Sequence, residues 1–269
     1  QRINSMTLSV LISVYEGDLS EYFECALKSI WDNQTRKPDE IVLVVDGYIG
    51  RELEVLIKDF ELRCYSLKLL RNDENLGLSR TLQIGLDACS CEYVARMDAD
   101  DISEPIRFER MLGFLNENEQ VDVLGSSIKI FGSSLTKIRS YPTSHLGVLK
   151  YIRKASPHAH PAVIFKKESI QACGGYSKEL RTTQDLELWF RSLKEGNIHA
   201  NLPEVLLNFR VSSEFWKRRS IEKAKVELKI YREGFKLLGV PRRYEVFIYV
   251  RFMVRRCKRL SKFIYKLIR

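Results

Sequence analysis

Within its first 120 residues the chain repeats one arrangement four times: a short apolar run, then apolar residues at three- and four-residue steps. Thr7–Val14 is the first run, bounded by Glu16-Gly17-Asp18, and Ser20 opens a helix with Phe23, Leu27, Ile30 and Trp31 on one face. Glu40–Asp46 and a helix over 51–62 follow, then a strand over 66–70 and a helix over 78–88. Glu92–Met97 is the fourth run, and Pro105 stands at the start of a helix whose face is Phe108, Met111, Leu112 and Leu115. Short runs that are apolar at every position are strands covered on both faces. Alternating with amphipathic helices over short connections, they predict a doubly wound, mostly parallel α/β sheet with helices on both faces.

Such a sheet binds ligands at the carboxyl ends of its strands. Polar residues gather there: Tyr15-Glu16, Asp46-Gly47 and Asp98-Ala99-Asp100-Asp101. Asp98 and Asp100 can converge on one Mg²⁺ or Mn²⁺, cations that take one or two protein carboxylates and complete their shell with water and phosphate oxygens. A cation there would neutralise a diphosphate leaving group. The structural alternative is a capped turn before the next helix. Ile102 and Ser103, at the fifth and sixth loop positions, exclude a calcium hand. No G-x-G-x-x-G, P-loop or G-x-S-x-G motif accompanies these strands.

Beyond residue 120 the rhythm changes. Val121–Gly125, Ile128–Phe131, Pro161–Phe165 and Val205–Val211 read as strands, with Gly132-Ser133-Ser134 as a turn. Thr182-Thr183-Gln184-Asp185 leads into a helix carrying Leu186, Trp189, Phe190 and Leu193, closed by Gly196. Trp189 is expected in the core, and Arg107 and Arg110 at the surface or paired with acids. His158 and His160 flank Ala159; a metal site is conceivable, but hydrogen bonding to backbone is the plainer expectation.

The charge is unevenly placed. Of 44 basic and 35 acidic residues, 17 and 4 fall in 218–269, so a tail of net +13 follows a body of net −4. In 244–269, Val246, Tyr249, Val250, Met253, Cys257, Leu260, Ile264, Leu267 and Ile268 share one helical face, and Arg251, Arg255, Lys258, Lys262, Lys266 and Arg269 the other. A basic amphipathic helix suits an anionic lipid surface; the same stripe could instead pack on the body. Residues 221–239 form a weaker amphipathic segment, with Gly239-Val240-Pro241 as the break. Nucleic acid is not expected, because no reading motif is present and no aromatics interleave the basic face. Six scattered cysteines suggest reduced thiols, and no uncharged run reaches the length of a membrane span. The expected location is cytoplasmic, peripheral to the inner face of the cytoplasmic membrane.

Six segments, in order, carry a resemblance. Leu11-Ile12-Ser13-Val14-Tyr15, Val44-Val45-Asp46-Gly47, Asn75-Leu76-Gly77-Leu78-Ser79-Arg80, Ala95-Arg96-Met97-Asp98-Ala99-Asp100-Asp101, His160-Pro161-Ala162-Val163 and Gln184-Asp185-Leu186-Glu187-Leu188-Trp189 resemble bacterial glycosyltransferase family 2 enzymes of the GT-A fold. The resemblance implies metal-dependent, inverting transfer from a nucleotide-diphosphate sugar, UDP-linked, to a lipid-linked or growing glycan in O-antigen or capsule synthesis. It places Asp46 on the nucleotide base, Tyr15 beside it, Arg80 near the diphosphate, Asp98 and Asp100 on ribose and Mn²⁺ or Mg²⁺, and Asp101 in support. It makes Asp185 the general base and puts His160 on the acceptor side. Without it, Asp185 reads as a first-turn acid favoured by the helix dipole.

Two departures stand out. Gln184 occupies a position usually Glu, and Phe209-Arg210-Val211-Ser212 lacks the histidine of a Y-R-x-H pattern; Arg210, Arg218 or Arg219 is expected to take over part of that phosphate contact. The expected division is a catalytic domain over 7–217, with a nucleotide-sugar half to about 120 and an acceptor half from 121, then the 218–269 tail. A nucleotidyltransferase is the enzymatic alternative, disfavoured by the acidic Val14-Tyr15-Glu16-Gly17-Asp18 loop. A glycan- or membrane-binding module with a dead site is the other.

Overall fold

A computed structural model describes residues 6–132, 136–211 and 221–256. Four parallel strands lie side by side in the order β3 (Leu67–Asn72), β2 (Glu40–Asp46), β1 (Leu8–Val14), β4 (Tyr93–Met97). Both faces of β1 and β2 are covered, which is why they are mostly apolar, the exceptions being Ser9 and Ser13 of β1 and the terminal Glu40 and Asp46 of β2. Leu8, Val10, Ile12 and Val14 of β1 and Ile41, Leu43 and Val45 of β2 enter one core. Leu11, Val42 and Val44 point into the other. The first core is closed by α1 (Ser20–Ile30), α2 (Arg51–Arg63) and α4 (Arg107–Glu117), the second by α3 (Leu78–Ala88) and by α7 (Gln184–Lys194). Gly85 lets α3 come close: a Cβ there would stand 2.2 Å from Leu11 Cδ1.

Past β4 the sheet is mixed rather than parallel. β8 (Ile164–Lys166) runs antiparallel between β4 and β6 (Val123–Phe131). β9 (His199–Arg210) is parallel to β6, and β5 (Ile102–Ser103) and β7 (Lys137–Arg139) are short antiparallel edges. The expected strands Val121–Gly125 and Ile128–Phe131 are one strand, β6, whose register against β9 shifts at Ser126–Ile128. The start of the expected Pro161–Phe165 strand lies in a 3-10 turn over His160–Ala162, where proline cannot donate to a ladder, and only Ile164 and Phe165 of it are strand. α5 (His145–Tyr151) and α6 (Lys167–Ala172) are too short to show a helical period.

α8 (Ile221–Leu237) packs on α7 through Tyr231 and Phe235, which meet Phe190 edge-on at 5.8 and 6.2 Å. Of the stripe expected on α9 (Glu245–Arg256), Val246, Tyr249, Val250 and Met253 are exposed, and Ile248 is the buried residue. Arg251 does not stand on a free basic face. It pairs with Glu227 of α8 at 3.0 Å and donates to the Lys154 carbonyl at 3.1 Å. Residues 212–220 and 257–269, with Ser212, Arg218, Cys257 and the rest of the tail stripe, lie outside the described residues.

Candidate active site

The carboxyl ends of β2, β1 and β4 are neighbours, so the loops they carry meet at one edge. Asp46 ends β2 with 5% exposure. Its Oδ1 accepts from the Leu76 amide and Asn72 Nδ2, both at 2.9 Å, and its Oδ2 from the Gly77 amide at 3.0 Å. The carboxylate therefore holds the Asn75-Leu76-Gly77 turn that leads into α3. Gly47 is required beside it, with φ +82 and no room for a Cβ, which would lie 2.6 Å from the Asn75 nitrogen. Tyr15, at the end of β1, is 40% exposed and lays its ring over Gly17. Arg80, on the first turn of α3, donates from Nε to the Lys178 carbonyl at 2.8 Å and so ties α3 to the segment entering α7.

After β4, ligand oxygens of Asp98, Asp100 and Asp101 lie within 4.8 Å of one another. Asp101 is fully buried; its Oδ1 accepts from the Arg210 amide at 2.8 Å, while Oδ2 has no hydrogen-bond partner. Burial, with the charges of Asp98 and Asp100, raises its carboxyl well above the ordinary range. Arg210 also donates from Nε to the Asp100 carbonyl at 2.8 Å, and its guanidinium lies over the rings of Tyr22 (3.9 Å) and Phe131 (4.5 Å).

Two buried arginines stand behind these acids. Arg96, two residues before Asp98 on β4, forms an ion pair with it. Arg107 corrects the expectation of a surface residue: it is fully buried and donates to the Arg96 carbonyl at 3.0 Å. Burial lowers its pKa to about 9. Arg110 does sit at the surface, paired with Glu204. Sequence reasoning missed Arg96, although a charged residue inside an apolar strand, one side chain before an Asp on the same face, is a signal that could have found it; Arg107 gives none, because helix periodicity assigns it to either side.

Asp185 lies on the first turn of α7, behind Thr183 in the left-handed region at φ 64. Burial raises its carboxyl above the ordinary range, opposed by the amides of Leu186 and of Asp185 itself and by Arg96. Gln184 is buried; an amide there avoids the cost of burying a second carboxylate. His160 bonds through Nε2 to the Tyr176 hydroxyl at 2.9 Å and packs edge-on against Tyr176 and Trp189. His158 turns away from it toward Asn201 (2.7 Å) and His199 (3.0 Å). The two histidines thus bond side chains, not backbone, and do not converge. Burial holds both neutral.

The donor set after β4 fits a divalent cation. It offers hard oxygens from several carboxylates, crowded enough to repel one another, with one buried oxygen unsatisfied. Arg96, paired with Asp98 in this cluster, also acts electrostatically on Asp185.

The pattern of the family described as Glycosyl transferase family 2 matches residues 9–174. The chain is 35% identical over 235 residues to the Escherichia coli UDP-Gal:alpha-D-GlcNAc-diphosphoundecaprenol beta-1,3-galactosyltransferase, covering 84% of each. It is 34% identical to the Erwinia amylovora amylovoran biosynthesis glycosyltransferase AmsE, covering 83% of this chain and 84% of that one. Its fold matches S. aureus TarS 1-349 in complex with UDP-GlcNAc (TM-score 0.64, 16% identity, 96% of this chain and 83% of that one). It also matches the Pyrobaculum calidifontis mannosyltransferase PcManGT in complex with GDP-Man and Mn2+ (TM-score 0.67, 15% identity, 91% and 68%). The GT-A architecture, the carboxylates after β4 and these likenesses agree: the chain is a glycosyltransferase and belongs to glycosyl transferase family 2.

Proposed function

We propose that this enzyme transfers a hexose or N-acetylhexosamine from a UDP-sugar, with inversion, to a hydroxyl of a glycan on a lipid diphosphate, in the synthesis of a bacterial surface polysaccharide. The observation that carries the chemistry is the carboxylate cluster after β4 with Asp185 beside it, both facing Arg96. The two curated relatives, one acting on a diphosphoundecaprenol-linked sugar and one in amylovoran biosynthesis, support the acceptor class and the pathway.

Asp98 and Asp100, with Asp101 behind them, would hold Mn²⁺ or Mg²⁺. Such a cation, when bound, neutralises the diphosphate as the sugar leaves it. Tyr15 offers an exposed ring beside Asp46 for the base of the nucleotide, and Arg80 and Arg210 bring positive charge to the same edge. Arg96 fixes Asp98 and keeps the acids from repelling one another into disorder. Asp185 takes the proton of the attacking hydroxyl at a carboxylate oxygen, a contribution of about 10²–10⁴-fold in rate. Its raised pKa makes it a better proton acceptor than an ordinary aspartate. The exposed residues of α9 supply an apolar face for an anionic membrane, where the acceptor lipid resides.

Incubation with a panel of nucleotide sugars, scored by metal-dependent nucleotide release with and without a diphosphate-linked acceptor, tests the reading. Acceptor-dependent UDP release from one or a few UDP-sugars is expected; release from none overturns it.

A further inference from the structure

Between the segment after β7 and one side of α5 lies a cavity of about 360 Å³, lined by Tyr141, Pro142, Lys150, Tyr151 and Lys154 among others. Its wall is built rather than loose. Tyr141 is buried, Pro142 is held by its carbonyl accepting from Asn201 Nδ2 at 2.7 Å, and Ser144 caps α5 by accepting from the Gly147 amide at 3.2 Å. Lys150, in the last turn of α5, and Lys154, in the turn that follows it, both line this cavity. Both are exposed, and no ion pair among the described residues involves either. Arg139, next in sequence to the lining residue Ser140, stacks on the Tyr141 ring at 5.1 Å.

The cavity stands between two features already placed. Asn201, which holds Pro142 of the cavity wall, leads through His158 and His199 to Ser192 of α7, the helix that carries Asp185. On the other side, Arg251 of α9 grips the Lys154 carbonyl at 3.1 Å, so the helix with the exposed apolar stripe is fastened to the cavity's edge. The reaction proposed above brings two diphosphates to one protein, and they need different partners. The donor's must be released from a carboxylate-rich edge, which repels it unless a cation intervenes. The acceptor's stays attached throughout and needs fixed positive charge free of acids. Lys150 and Lys154 provide that, and the tyrosine rings give an apolar wall of the kind that sugar faces pack on.

We propose that this cavity is the subsite for the glycosyl diphosphate of the lipid acceptor, with Lys150 and Lys154 on the phosphates, the sugar reaching toward Asp185 and the lipid leaving along α9. The inference rests on the acceptor class proposed above.

Titration of decyl-diphosphate-linked N-acetylglucosamine into the full chain, with UDP saturating, decides it. The K150Q/K154Q variant is expected to bind this probe about tenfold more weakly and K150R/K154R to bind it as wild type does. Decyl N-acetylglucosaminide, which lacks the diphosphate, should not distinguish the three. Equal affinity of wild type and K150Q/K154Q for the diphosphate probe overturns the proposal, as does no binding to wild type. A loss of UDP affinity in K150Q/K154Q as large as the loss for the probe also overturns it, because the cavity would then hold the nucleotide. Nucleotide release by wild type is scored separately: without it the transferase reading fails, while the titration still decides what the cavity binds.

Discussion

The proposed reaction puts its proton transfer on one carboxylate, Asp185, whose environment would set the pH at which it works. Asp185→Asn keeps shape and hydrogen bonding but cannot take a proton, so transfer should fall by about 10²–10⁴-fold with donor affinity unchanged; full turnover in that variant would remove the proposed base. The deprotonated form is the active one, and burial raises the pKa. The acid limb of kcat/KM is therefore expected above the ordinary carboxylate range, with activity rising as pH rises through it. A limb at or below 3.8, the ordinary value of an aspartate carboxyl, would contradict that environment. At this scale the sequence showed the acids, because Asp46, Asp98, Asp100 and Asp185 stand at strand ends or a helix start. It did not show what they touch. That Asp46 already receives three hydrogen bonds depends on a turn 30 residues away, and the burial of Arg107 depends on β4 and β8 meeting over it.

α7 is the element that must be held still, and a buried polar chain beneath it does so. Asn201 uses its amide nitrogen on the carbonyls of Pro142 and Pro157, so its oxygen faces His158 and His158 must donate from Nδ1. His158 Nε2 then accepts from His199 Nδ1, and His199 Nε2 accepts from the Ser192 hydroxyl on α7. Each ring is left with one tautomer, and Trp189 packs edge-on against both. Burial lowers the pKa of His158 from 6.5 to about 4 and that of His199 well below 6.5. Below pH 6.5 the unfolded chain binds protons that the folded chain refuses, so stability falls as pH falls. The slope is about 1.4 kcal/mol per pH unit for each histidine until its folded pKa is reached. Urea unfolding at a series of pH values reads this directly, and His158→Asn should flatten the slope; a slope unchanged by that variant would show that the network does not titrate on unfolding. Long elements were legible because apolar runs and amphipathic periods repeat. The chain of histidines was not, since its members come from three separated segments and each looks like a lone polar residue in an apolar stretch.

Across the whole sequence, residues 1–217 carry net −4 and include the carboxylates, while residues 218–269, proposed to meet lipid, carry net +13. α8 is part of the second core, so truncation before it would damage the body as well as the tail. A point change is the better probe. Val250 and Met253 are each 57% exposed, and V250E/M253E should abolish flotation with anionic liposomes while leaving the melting temperature near that of wild type. Retained flotation would assign lipid contact elsewhere. The sheet was anticipated up to β4, where βα repeats dictate parallel pairing. The inversion at β8 was hidden, because a three-residue strand after a proline turn carries no mark of direction.

Asp46 holds the turn that begins α3; α3 holds the segment before α7 through Arg80 on the Lys178 carbonyl and Gln83 on the Tyr176 amide; and Tyr176 reaches His160. In mechanical terms this is a tie rod running from the Asp46 edge to the segment that leads into α7. A nucleotide that competes for the Asp46 carboxylate loads one end, and amide exchange at residues 176–178 is where the other end should register it.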